Sequence, residues 1–138
     1  MKNMSAGLVI GILLIFAGIV VMLVSMSRPA TIEVCDCRLV ISGSYGMTLP
    51  TDEIKTAELL DTLPKITVRT NGIALGDMMI GHFRMKEIGA CRLYLNTSRP
   101  PFVHIVTVEG KHIFFNTRDA ARTRELFGRL NQSNASPE

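Results

Sequence analysis

Tryptophan is absent, and Phe and Tyr together supply only 6% of the 138 residues. Cysteine is scarce as well, with three residues in the whole chain. An odd number, with Cys35 and Cys37 one residue apart, does not make a disulfide framework. No Cys and His cluster has the obvious spacing of a zinc site, which argues against a metal-stapled scaffold. All three cysteines read as small core hydrophobes. An excess of one charge is also missing. Fifteen basic against twelve acidic side chains give +3, and the part beyond residue 28, without Lys2 and Arg28, carries only +1. That is no polycation, which argues against a nucleic-acid partner.

Catalytic motifs are missing too. The chain has no G-x-S-x-G elbow, no Walker loop, no G-x-G-x-x-G stretch and no H-E-x-x-H pair. The three histidines, His82, His104 and His112, share no ligand spacing. They read as surface or half-buried strand residues, the alternative being a two-histidine metal site formed by neighbouring strands. Asp52, Glu53, Glu58 and Asp61 read as solvated loop charges. The expectation is a protein that is not an enzyme, with no cofactor, no metal and no small-molecule substrate.

What the chain does have is apolar residues, 47% of the total, concentrated near its start. Residues 6–26 read AGLVIGILLIFAGIVVMLVSM, without a charge. A bilayer core takes about 20 apolar residues as a helix, and this run has that length. A cleaved signal peptide has a shorter apolar region of about 7–15 residues and a small-residue cleavage site, which Met26-Ser27-Arg28-Pro29 does not offer. The expected organisation is a tail over 1–5, a transmembrane helix over 6–26, a linker over 27–30, a folded domain over 31–131 and a disordered tail over 132–138. Gly7 and Gly11 form a small-xxx-small pair, a weak dimerisation signal. Lys2 on one side of the helix and Arg28 and Arg38 on the other nearly balance, so the positive-inside rule sets no orientation. The four residues between Met26 and Thr31 span at most about 14 Å, which holds the domain close to the bilayer.

Beyond Pro29 the texture becomes short alternating stretches. Residues 31–36, 38–42, 66–69, 82–86, 91–95, 102–108 and 111–115 read as strands, about seven in an antiparallel set. Residues 47–51 and 54–60 are ambiguous between strand and helical turn. Asn71-Gly72 signals a tight turn, residues 77–80 an irregular segment, and Pro100-Pro101 a protected edge. Then the period changes. Ala120, Thr123, Leu126, Phe127 and Leu130 form one apolar stripe, which predicts a helix over 118–131, capped by Asn116 or Thr117 with Asp119 in its first turn. One amphipathic helix after a set of strands suits the open end of a barrel.

Several local stretches resemble bacterial PH-domain (pleckstrin-homology-like) proteins. They are Arg69-Thr70-Asn71-Gly72-Ile73, Gly81-His82-Phe83-Arg84-Met85, Leu93-Tyr94-Leu95, Pro101-Phe102-Val103 and Ile113-Phe114-Phe115-Asn116-Thr117-Arg118-Asp119. The resemblance covers roughly residues 31–130. It implies a mainly β fold, a PH-like barrel capped by one C-terminal helix, and a bacterial source, hence an inner-membrane location. Its glycines and core aromatics speak for fold and do not imply a phosphoinositide ligand.

One constellation is basic. Period-2 alternation in the 82–95 hairpin puts Phe83, Met85, Cys91, Leu93 and Leu95 on an inner face. The outer face then carries His82, Arg84, Lys86, Arg92 and Tyr94. A turn at Glu87-Ile88-Gly89 pairs Met85 with Cys91 and sets Arg84 near Arg92, an arrangement that an anion between them would relieve. The expected function is that of a non-enzymatic, single-pass membrane protein displaying an interaction domain that binds a protein partner or assembles with itself. The alternative is contact with anionic lipid headgroups through that basic face.

Overall fold

A computed structural model describes residues 5–26, 30–43 and 45–135. Lys2, Arg28, Pro29 and most of the 27–30 linker lie outside the described residues, as do the last three residues of the tail. Helix α1 (Ala6–Met26) has no charged residue in its first or last turn and no polar face, and its large apolar side chains from Leu8 to Val24 are exposed. Its 21 residues reach about 31 Å at 1.5 Å each, the thickness of a hydrocarbon core. It is one helix long and apolar enough to cross a membrane.

Nine strands follow among the described residues, where seven were expected. β1 (Thr31–Cys35), β2 (Arg38–Ser42) and β3 (Met47–Pro50) form an antiparallel three-stranded meander. A short 3-10 turn (Thr51–Glu53) leads into a second sheet. That sheet contains β4 (Ile54–Leu60), β5 (Ile66–Leu75), β6 (Met78–Met85), β7 (Gly89–Asn96), β8 (Phe102–Thr107) and β9 (His112–Phe115), in the spatial order β4-β8-β9-β7-β6-β5. Both ambiguous segments are therefore strands. The set is not wholly antiparallel: β9 returns between β8 and β7 and runs parallel to β7.

Residues 61–65 join the two opposite edges of this six-stranded sheet. Six steps of chain reach about 21 Å, whereas five flat strand spacings need about 24 Å. The sheet must curl. It does not close, because β4 and β5 make no ladder with each other, so the expected single barrel is replaced by two open sheets. Phe83, Met85, Cys91, Leu93, Leu95, Phe102 and Phe114 fill the inside of the curl, with Leu60, Leu63 and Ile66 packed against them. The expected inner face of the hairpin is thus the observed one.

The outside of the curl is buried as well. Ile80, Tyr94, Val103, Ile105, Ile113 and Phe115 pack on Ile32, Leu39, Ile41 and Leu49 of the small sheet and on the last helix. A sheet covered on both sides loses the in-out alternation, which is why Leu93, Tyr94 and Leu95 are all buried in succession. Helix α2 (Ala120–Ala135) lays Thr123, Leu126 and Leu130 against this second core. Its neighbours are β4, β1, β8 and the 3-10 turn, so it lies on the sheet instead of plugging a barrel end. It also runs to Ala135, through the start of the tail expected to be disordered.

Several turn assignments need correction. Asn71 and Gly72 lie inside β5 opposite His82 and Gly81, and the reversal comes later, at Gly76 with φ +59. Residues 78–80 belong to β6, with Ile80 buried. β7 and β8, on either side of Pro100-Pro101, are interior strands, so these prolines guard no edge. Asp119 is the helix cap, its Oδ1 accepting from the Ala121 N–H at 3.0 Å. Asn116 instead ties the β7–β8 connection together, accepting from Asn96 N and donating to the carbonyls of Asn96 and Arg99. Cys35 and Cys37 are exposed, and of the three cysteines only Cys91 is a core residue.

Candidate functional site

The 86–88 turn decides which basic residues meet. Ile88 N donates to the Met85 carbonyl at 3.3 Å, and Glu87 and Gly89 take positive φ. This tight reversal pairs Met85 with Gly89, Phe83 with Cys91, Arg84 with Ala90 and His82 with Arg92. The expected Met85–Cys91 register is two residues off. Arg84 therefore faces Ala90, and the like-charge pair with Arg92 does not form. Tyr94 is buried between the sheets, its hydroxyl donating to the Tyr45 carbonyl. Arg84 and Lys86 are exposed beyond the small sheet, while His82 and Arg92 are half-buried at its margin. The five expected contact residues thus divide into a buried tyrosine, two solvated cations and a half-buried pair.

The half-buried pair borders a cavity of about 580 Å³ between β3, the start of β7 and the β8–β9 turn. Arg92 Nη1 donates to Met47 Sδ at 3.5 Å. A thioether is a weak acceptor for a guanidinium with five N–H donors. The ion pairs among the described residues join Lys111 to Glu109 and Arg122 and Arg129 to Glu125, and none involves Arg92. The Tyr94 pKa lies above its ordinary value because burial disfavours the phenolate, with the nearby Arg92 charge and hydrogen bond pulling the other way. His82 meets the edge of the Tyr45 ring at 6.3 Å. Sequence reasoning found His82 and Arg92 but missed Met47 and Lys111. Met47 lies 45 positions from Arg92, in a different sheet, and no local pattern joins them.

A second cluster sits on the inner side of the curl. His104 Nε2 and His112 Nδ1 approach to 3.0 Å, and the His104 ring stacks on Phe114 at 4.2 Å. Glu58 is the register partner of His104 on β4. The strands therefore bring together two histidines that share no sequence spacing. No group of three or more His, Cys, Asp or Glu suited to a metal ion occurs among the described residues. Cys91, on the same side, is buried, donates its thiol to the Phe83 carbonyl, and has its pKa pushed up to about 11 by burial. A thiol held neutral in this way is a packing group and a poor nucleophile.

Comparison with protein families, with curated proteins and with solved structures returns no match. The chemistry of the site therefore rests on the geometry of Arg92 and the cavity that it borders.

Proposed function

We propose that this chain is a membrane-anchored, non-enzymatic interaction module that assembles with itself, copy pairing with copy along the free edge of β5. Helix α1 serves as the single-pass anchor, in the inner membrane if the source is bacterial. Strands followed by one C-terminal helix support the likeness to bacterial PH-domain proteins, from which the two open sheets depart. Anionic-lipid binding by the whole hairpin face is the weaker reading, because its five residues do not share one surface.

The observation behind self-assembly is the edge itself. β5 is ten residues long, bonded to β6 on one side only, and exposed from Thr67 to Asn71. It contains no proline and one charge, Arg69; its register against β6 shifts after Ile66 and again after Arg69, which leaves Asn71 to Leu75 as its regular part. Long edges of this kind are templates for another strand unless they are charged, broken or covered. An antiparallel, two-fold pairing centred on Asn71 sets Thr67 of one copy opposite Leu75 of the other and brings Lys65 of one copy near Asp77 of the other just beyond the ends of the ladder, twice by symmetry. Lys65 and Asp77 are exposed, and neither has an ion-pair partner among the described residues.

The test is charge exchange in the full chain, in detergent and in nanodiscs. Lys65→Glu or Asp77→Lys alone lowers the dimer fraction, and the two together restore it. Asn71→Cys, made with Cys35 and Cys37 replaced by serine, crosslinks copy to copy on oxidation. A chain that stays monomeric throughout, or a double exchange that restores nothing, removes the proposal.

A further inference from the structure

We infer that the cavity bordered by Arg92 binds a small organic monoanion with an apolar body, a carboxylate or a phosphodiester. The inference is independent of pairing along β5. Arg92 is half-buried, in contact with the Met47 sulfur and the Tyr94 hydroxyl and with no carboxylate among the described residues. Partial burial of a cation disfavours it unless an anion accepts its donors, and a guanidinium fork fits a two-oxygen anion best. The cavity, about 580 Å³, is of the size that holds small ligands. Met47, Leu49 and Ile113 give it apolar walls, the last two being fully buried core residues. Glu53, Glu109 and Lys111 also line it, the Lys111 ammonium lying 3.2 Å from Glu109. The four formal charges of the lining sum to zero; with Lys111 paired to Glu109, Arg92 is the lining cation without an ion-pair partner among the described residues, and the two glutamates disfavour a dianion relative to a monoanion.

The proximity of Met47 to Arg92 supplies the readout. The full chain, labelled at its methionine methyl groups, is placed in phosphatidylcholine nanodiscs, and the Met47 signal is assigned with Met47→Leu. Hexanoate and dibutyl phosphate serve as the carboxylate and phosphodiester probes, with hexanamide as the uncharged control. The expected result is a saturable shift of the Met47 methyl with at least one of the anions and none with hexanamide. Arg92→Gln weakens that binding at least tenfold, and Arg92→Lys, which keeps the charge, weakens it less. The same signal shifting in phosphatidylglycerol nanodiscs without any probe identifies a lipid headgroup as the source of the anion. A shift confined to the soluble probes identifies a free metabolite-sized anion. No saturable shift under any of these conditions overturns the inference, as does equal binding of hexanamide. An Arg92→Gln chain that keeps its other methionine signals and still binds as wild type overturns it too.

Discussion

His104 Nε2 and His112 Nδ1 lie 3.0 Å apart on the adjacent strands β8 and β9. One ring must donate and the other accept, so the contact needs an unprotonated nitrogen on at least one ring. Burial first, and the neighbouring His112 second, lower the His104 pKa, while Glu58 pulls it up. Below about pH 6.5 the unfolded chain therefore binds more protons at this position than the native one. Stability is expected to be complete above that pH and to fall as the pH drops through the ordinary histidine value toward the lowered one. Urea midpoints of the full chain in detergent between about pH 5 and pH 8 measure this. His104→Gln lowers stability overall but flattens the slope, and an unchanged slope would assign the pH dependence to other groups.

Gly72 and Gly81 face each other where β5 and β6 approach closely. A Cβ at Gly81 would lie 2.6 Å from the Gly72 Cα, and Gly81 has φ +119. Gly81→Ala is expected to destabilise the domain by about 2 kcal/mol or more, combining strain and clash. Gly110, at φ +85 with open space around it, is the control. Gly110→Ala should cost only the backbone term, roughly 1 kcal/mol. Thermal or urea unfolding of the two variants separates the contributions, and equal losses would count against the close approach.

On helix α2, Leu126 is fully buried, whereas Arg129 makes an exposed ion pair with Glu125 at 2.8 Å. Leu126→Ala leaves a cavity between the helix and the outer core and is expected to cost about 2–5 kcal/mol. Arg129→Ala removes only a solvent-screened pair and should change stability by less than about 1 kcal/mol. If the two losses were comparable in urea titrations, the helix would not be packed as described.

The cysteines differ in reactivity. Cys35 and Cys37 are exposed and should take a maleimide label within minutes in the folded chain. Cys91 is buried with its pKa pushed up to about 11, so its label should appear only in denaturant. Mass spectrometry counts two labels before unfolding and three after it. A third label on the native protein would show the inner core to be open.

The inner face of the 82–95 hairpin follows from alternation alone, because Phe83, Met85, Cys91, Leu93 and Leu95 line one side of two strands whatever the rest does. The stripe on α2 follows in the same way from helical period, and the apolar run of α1 from length and composition. The outer face was not legible by that route. Tyr94 looks exposed beside Arg92 until the small sheet is laid over it, and the sequence has no local mark for a second covering layer. The Asn71-Gly72 pair shows the same limit. It has the wording of a turn, yet β6 approaches so closely that the glycines are needed inside the ladder.

The sequence by itself determined an apolar segment of membrane-spanning length, a strand-rich domain and a closing amphipathic helix, because these depend on residue periodicity and composition over short distances. Only the tertiary structure decided that the two sheets stay open, that β9 enters parallel to β7, and that Arg92 stands at a cavity beside Met47. Each of these depends on contacts between residues far apart in the chain. Such contacts are set by which faces can be buried together, and no single segment records that.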